Sequence, residues 1–210
     1  MAEASARERL RLATQAAHER LHVIPAFEAL AQGRIALPDY AALLRRKLAF
    51  HLALERRLAQ APSLAPYGIE LAARRRSPLL RADLAFLGAS DDVELAPLRP
   101  FATAPAALGG LYVAEGSTLG GRQLARALDG VLPPTGDGRR FLLGHGARHG
   151  ALWRACCDAI ELCGGAEPAL AEMIRGADAT FAAFEAWFTA SSPARSFPSP
   201  AVAGEAWGGG

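Results

Sequence analysis

The chain has 210 residues, 51% of them hydrophobic, which suits one folded domain with a sizeable core and excludes general disorder. A formal net charge of +2 gives no polyanion-binding signature, so nucleic acid is not an expected partner. No apolar run approaches bilayer-spanning length, and the charged, alanine-interspersed residues 1–12 lack the apolar core of a signal peptide. No membrane span and a cytoplasmic location are therefore expected. Cys156, Cys157 and Cys163 crowd into one stretch with poor zinc-ligand spacing and read as free thiols of a reducing compartment. Lys47 is the only lysine, with arginine supplying the remaining basic residues, which reads first as genome composition.

In chain order the pattern is helical. Residues 5–21 form a first helix: Ser5 followed by Glu8 has capping-box spacing, and Leu10, Ala13, Ala17 and Leu21 share one face. Ile24 and Pro25 interrupt it. A short helix over 26–32 stops at Gly33. Pro38 and Asp39 open the next, which continues through Leu58. Ser77 and Pro78 read as N-cap and first turn of a helix that ends near Gly88. Residues 105–128 read as one glycine-crowded helix, and 130–138 as a Pro/Gly loop. Helix resumes over about 147–164. Pro168 starts the last one, with Leu170, Met173, Ala177, Phe181, Phe184 and Phe188 on one stripe. No segment alternates with the period of a strand. The expectation is a single all-α domain over 1–190 and a mobile Ser/Pro/Gly tail over 191–210.

Three local features carry chemistry. His18 lies on the first helix with Ala17 and Leu21 beside it, where an imidazole can face a planar iron centre among apolar groups. His18-Glu19-Arg20-Leu21-His22 also matches H-E-x-x-H, a zinc-protease pattern. Against that reading stand the Arg20 cation, the helix break at Ile24-Pro25 and the lack of a third ligand. The E-x-x-H of Glu19 and His22 has no second copy, so a di-iron bundle site is not expected. The second feature is Glu115-Gly116-Ser117-Thr118-Leu119-Gly120-Gly121. Glycine inside a helix costs roughly 1 kcal/mol against alanine. Such a cluster points to close approach of a flat ligand to the backbone, or to tight helix–helix packing. The third is arginine: Arg11 lies two turns before His18 on its face, and Arg154 lies between Trp153 and Ala155. Guanidinium groups pair with carboxylates.

The residues 13–18 (Ala-Thr-Gln-Ala-Ala-His), Gln32-Gly33-Arg34, Ala53-Leu54-Glu55, the run Leu111-Tyr112-Val113-Ala114-Glu115-Gly116-Ser117-Thr118-Leu119-Gly120-Gly121, Leu152-Trp153-Arg154 and Thr180-Phe181 together resemble the haem oxygenase family, above all its bacterial, biliverdin-producing members. The resemblance spans most of residues 8–190. It implies haem, cofactor and substrate at once, held between a proximal and a distal helix. His18 matches the axial ligand of the haem iron. Gly116, Ser117, Gly120 and Gly121 match the distal, catalytic segment, and Arg11, Tyr112 and Arg154 match haem-contacting positions, the arginines toward the propionates. O2 and electrons from an external donor, a ferredoxin or a reductase, would convert haem to biliverdin, CO and iron. Two positions depart from relatives: Ser117 stands where mammalian members carry an aspartate, and His22 where a carboxylate often follows the axial histidine. The alternatives are a haem-binding or haem-trafficking protein without turnover and a thiaminase-like enzyme of the same fold.

Overall fold

The computed structural model describes residues 4–117 and 120–190. Among them are nine α-helices, short 3-10 turns at 65–67, 72–74 and 146–148, and no strand. Helix α1 spans Ala6–His22, and the Ser5 hydroxyl accepts the Glu8 N–H at 3.3 Å, as the capping spacing predicts. Helix α2 (Pro25–Ala31) starts on its proline and is followed by Gly33 at φ +65°, a left-handed backbone that glycine adopts without strain. Helix α3 (Leu37–Gln60) has Pro38 in its first turn. Helix α4 is Ser77–Phe86, and its N-terminus departs from expectation. Ser77 is inside the helix and does not cap it; the carboxylate of Glu55, reaching over from α3, accepts the Arg76 and Ser77 N–H groups at 2.8 Å each and the Ser77 hydroxyl at 2.6 Å. An imported carboxylate does the work assigned to the local serine.

The segment expected as one helix over 105–128 is two: α5 (Ala104–Gly116), begun by a Thr103 cap, and α6 (Gly121–Arg126). The next helix, α7 (Arg140–Leu143), lacks the length for a periodic signal; the Asp83 carboxylate accepts its Arg140 and Phe141 N–H groups at 2.8 Å each. Helices α8 (His149–Gly164) and α9 (Glu167–Thr189) follow as read. The expected tail over 191–210 lies outside the described residues.

One hydrophobic cluster joins α1, α3, α5, α8 and α9 around Leu10, Leu54, Leu108, Ile160 and Met173; a second joins α2, α3, α4, α6 and α7 around Leu30, Leu44, Leu80 and Leu128. Each fully buried leucine contributes roughly 1.5–3 kcal/mol, and α3 feeds both clusters. Helices α5 and α9 share the most extensive interface. A Cβ at Gly109 would run into the Met173 backbone, and one at Gly176 into the Ala106 backbone. The two helices therefore meet main chain to main chain. No helix among the described residues is long and apolar enough to cross a membrane.

Candidate functional site

His18 projects from the exposed side of α1. Its ring stands edge-on to Phe181 of α9, centroids 6.3 Å apart, and to His22, 4.8 Å apart. It makes no hydrogen bond to a described residue. Partial burial against α9, and then His22, lower its pKa, while Glu19 opposes them. The residue is exposed as a whole, so the shelter is on one side only, and the neutral imidazole that a metal requires is the favoured form. Helix α1 packs on α9 and α8 rather than broadly on α5.

The glycine segment divides into open and closed positions. Among the described residues, a Cβ on Gly120 would meet nothing within 4 Å, and one on Gly116 only the Trp153 ring at 3.9 Å. Both can admit a flat molecule close to the main chain. Gly121 is different: it is buried, and a Cβ there would strike the Leu142 carbonyl of α7. Its missing side chain serves packing, so it does not share the open face with Gly116 and Gly120. Ser117 donates its hydroxyl to the Ala114 carbonyl at 2.7 Å and accepts from the Arg76 guanidinium at 3.4 Å.

Tyr112 and Arg11 come together. The Tyr112 phenol is pushed up in pKa by burial, while its contact with Thr14 and the Arg11 charge pull it down. Its ring lies 6.0 Å from Trp153. Arg154, the next residue on α8, is exposed and has no ion pair or hydrogen bond among the described residues. The Tyr112 phenol, the Trp153 indole and the Arg11 guanidinium thus gather where α1, α5 and α8 meet, while Arg154 shares only the α8 helix with them.

The sequence reading missed a cationic interior. Arg76 is 3% exposed, donates to the Phe141 carbonyl at 2.6 Å and lies 4.0 Å over the Phe141 ring. Burial lowers its pKa to about 10. His51, also buried, has its ring 5.1 Å from Phe141 and a pKa held well below the usual histidine value by burial, then by Arg76 and Lys47. The Lys47 ammonium sits 4.5, 5.3, 5.4 and 5.7 Å from the rings of Phe27, Phe141, Phe184 and Phe188. Burial and Arg76 push it down to about 7. Arg74 pairs with Glu115 at 3.2 Å, both nearly inaccessible. The uniqueness of Lys47 was the one available signal; in the run Arg74-Arg75-Arg76 nothing marks the first and third as buried. A cavity of about 540 Å³ opens behind α5 between Leu58, Leu71, Arg74 and Leu111, and neither His18 nor a glycine of the motif lines it.

A family model described as "Heme oxygenase" matches residues 4–105. A haem oxygenase of Xanthomonas campestris is 34% identical over 166 residues, 79% of this chain and 98% of that protein. The chain belongs to the haem oxygenase family. The structure of the Neisseria meningitidis haem oxygenase, solved with NO and CO bound, aligns with a TM-score of 0.72 at 25% identity, covering 89% of this chain and 91% of that one. A haem oxygenase of the cyanobacterium Synechocystis, solved with haem, aligns with a TM-score of 0.69 over 88% and 91% of the two chains; at 18% identity that likeness concerns the fold. The all-helical haem oxygenase fold and the family expected from the residue pattern are both borne out.

Proposed function

We propose that this chain binds haem at the His18 face of α1 and, with O2 and electrons from an external ferredoxin or reductase, opens it to biliverdin with release of CO and iron. The His18 imidazole carries the reading. In a member of this family it stands exposed on α1, sheltered on one side by Phe181, with no hydrogen bond to a described residue competing for its nitrogens. The bound haem would supply the iron at which O2 is activated. The protein's part is to hold and orient the ring. His18 would hold the iron through its imidazole. Gly116 and Gly120 let the ring approach the distal backbone. The Ser117 hydroxyl donates to the Ala114 carbonyl, so hydrogen bonds on the distal side would fall to backbone N–H groups and water. Arg11, Tyr112 and Arg154 suit the two propionates, with Arg154 unspent on other partners among the described residues. Three free cysteines suit a reducing, cytoplasmic setting.

The test adds hemin, records the spectrum, then supplies reductant under O2 and identifies the pigment by mass. Histidine-ligated haem and biliverdin are expected from the native protein. His18→Ala should lose the ligated spectrum, whereas His51→Ala and His145→Ala should keep it. Ligated haem that persists under reductant without pigment would make the chain a haem carrier and reject turnover.

A further inference from the structure

His22 has no place in the reading above. It is exposed in the last turn of α1, four residues after His18, and its ring centroid lies 4.8 Å from that of His18 at an interplanar angle of 75°. With a metal–nitrogen bond of about 2.1 Å and the ring centre about 1.2 Å behind its nitrogen, two cis imidazoles on one ion have centres about 4.7–5.4 Å apart, from octahedral to tetrahedral angles. The observed pair is already at that spacing. Two objections drawn from the sequence fall away. The Arg20 guanidinium is turned to α9, where its Nε donates to Glu185 at 3.0 Å. The helix remains regular through His22, since the break comes at Val23 and beyond. Glu19 accepts from Gln15 at 2.8 Å, one turn back.

We infer that His18 and His22 form a two-imidazole site for a divalent first-row transition ion, with water completing the coordination. Among the described residues no third histidine, cysteine or carboxylate joins them. That excludes the closed structural zinc site and the three-ligand catalytic one, and leaves an exchangeable site. Imidazole suits iron, nickel, copper and zinc alike. Resting on the reading of His18 as the haem ligand, the site is open in the haem-free protein and closed once haem takes His18. The iron freed by ring opening would then leave past a second imidazole one turn away.

The test titrates Ni²⁺, a tighter-binding stand-in for Fe²⁺, into the haem-free protein by calorimetry. The native chain should bind one ion that His18→Ala and His22→Ala each weaken at least tenfold, with circular dichroism confirming an intact helix content. Unchanged affinity in either variant overturns the site. Hemin loading separates this inference from the one beneath it. Loss of the His22-dependent binding on loading supports both. Binding that survives loading and still depends on His22 keeps the metal site and removes His18 from the haem.

Discussion

At Arg154 and Arg11 the same side-chain chemistry meets two different surroundings. Arg11 lies beside the half-buried Tyr112, and its charge favours the phenolate form of that ring. Arg154 is exposed beside Trp153 with nothing described to hold it. A solvated arginine without a partner adds little to stability, so its removal should leave folding intact. If a propionate is its partner, Arg154→Ala weakens hemin binding by a charge-assisted hydrogen bond, about 1.5–3 kcal/mol when desolvated and less at a wet rim. It also lets the ring rotate in its plane. The expected outcome is an unchanged melting temperature with a raised hemin Kd or an altered ratio of biliverdin isomers. Equal Kd and equal isomer ratio would return Arg154 to the surface. Neither role could be assigned from composition alone, because a chain whose basic residues are almost all arginine gives no single one distinction.

Among the elements, the break between α5 and α6 turns the glycine motif into a test with two opposite answers. Among the described residues Gly120 opens onto space, whereas Gly121 lies against the Leu142 carbonyl. Gly120→Leu should therefore leave the fold largely stable, since Gly120 caps α6 at a negative φ with room for a side chain among the described residues and loses only a capping preference of about 1 kcal/mol, yet abolish haem turnover because the side chain fills the space the ring needs. Gly121→Ala should do the reverse in kind: the methyl group must push α6 from α7, costing roughly 1–3 kcal/mol, and its effect on turnover should follow the fraction folded. Melting temperature and turnover measured on both variants decide this; a destabilised Gly120→Leu with normal turnover per folded molecule would reverse the assignment. The sequence made the helices legible because their apolar stripes and proline starts are local signals, as the stripe from Leu170 to Phe188 shows. It did not reveal that α5 ends at Gly116 and α6 starts at Gly121, or the existence of α7. Nor could it sort the glycines, since Gly109, Gly116, Gly120 and Gly121 look alike until the partner backbone is in place. The capping of α4 by Glu55 was hidden for the same reason, its donor and acceptor being more than 20 residues apart.

Over the whole molecule, the interior cations set how stability answers to pH. Lys47 falls from its usual value near 10.5 to about 7. Between those values the unfolded chain holds a proton on this amine that the folded chain does not, so stability rises with pH across that window. His51, lowered from 6.5, works in the same sense below that value: its contribution is present above pH 6.5 and lost on acidification. Asp83 opposes it there, because its folded pKa is raised to about 6, chiefly by burial, and a raised carboxyl gives up stability as pH climbs from about 4 to 6. Above about pH 8.5 the thiols oppose as well, since burial raises Cys156 to about 12 and lifts Cys157 and Cys163. The interval from pH 7 to 8.5 thus belongs mainly to Lys47. The four ring faces around the ammonium favour its charged form and temper the effect, so the slope stays below the one-proton limit of about 1.4 kcal/mol per pH unit. Urea unfolding of the haem-free protein should accordingly show a midpoint that rises from pH 7 to 8.5. Lys47→Met keeps the length and apolar stem, removes the titrating amine, and should flatten that rise. A variant whose midpoint climbs as steeply as the native chain's would show that Lys47 stays protonated within its ring of phenylalanines and that the pH response originates elsewhere.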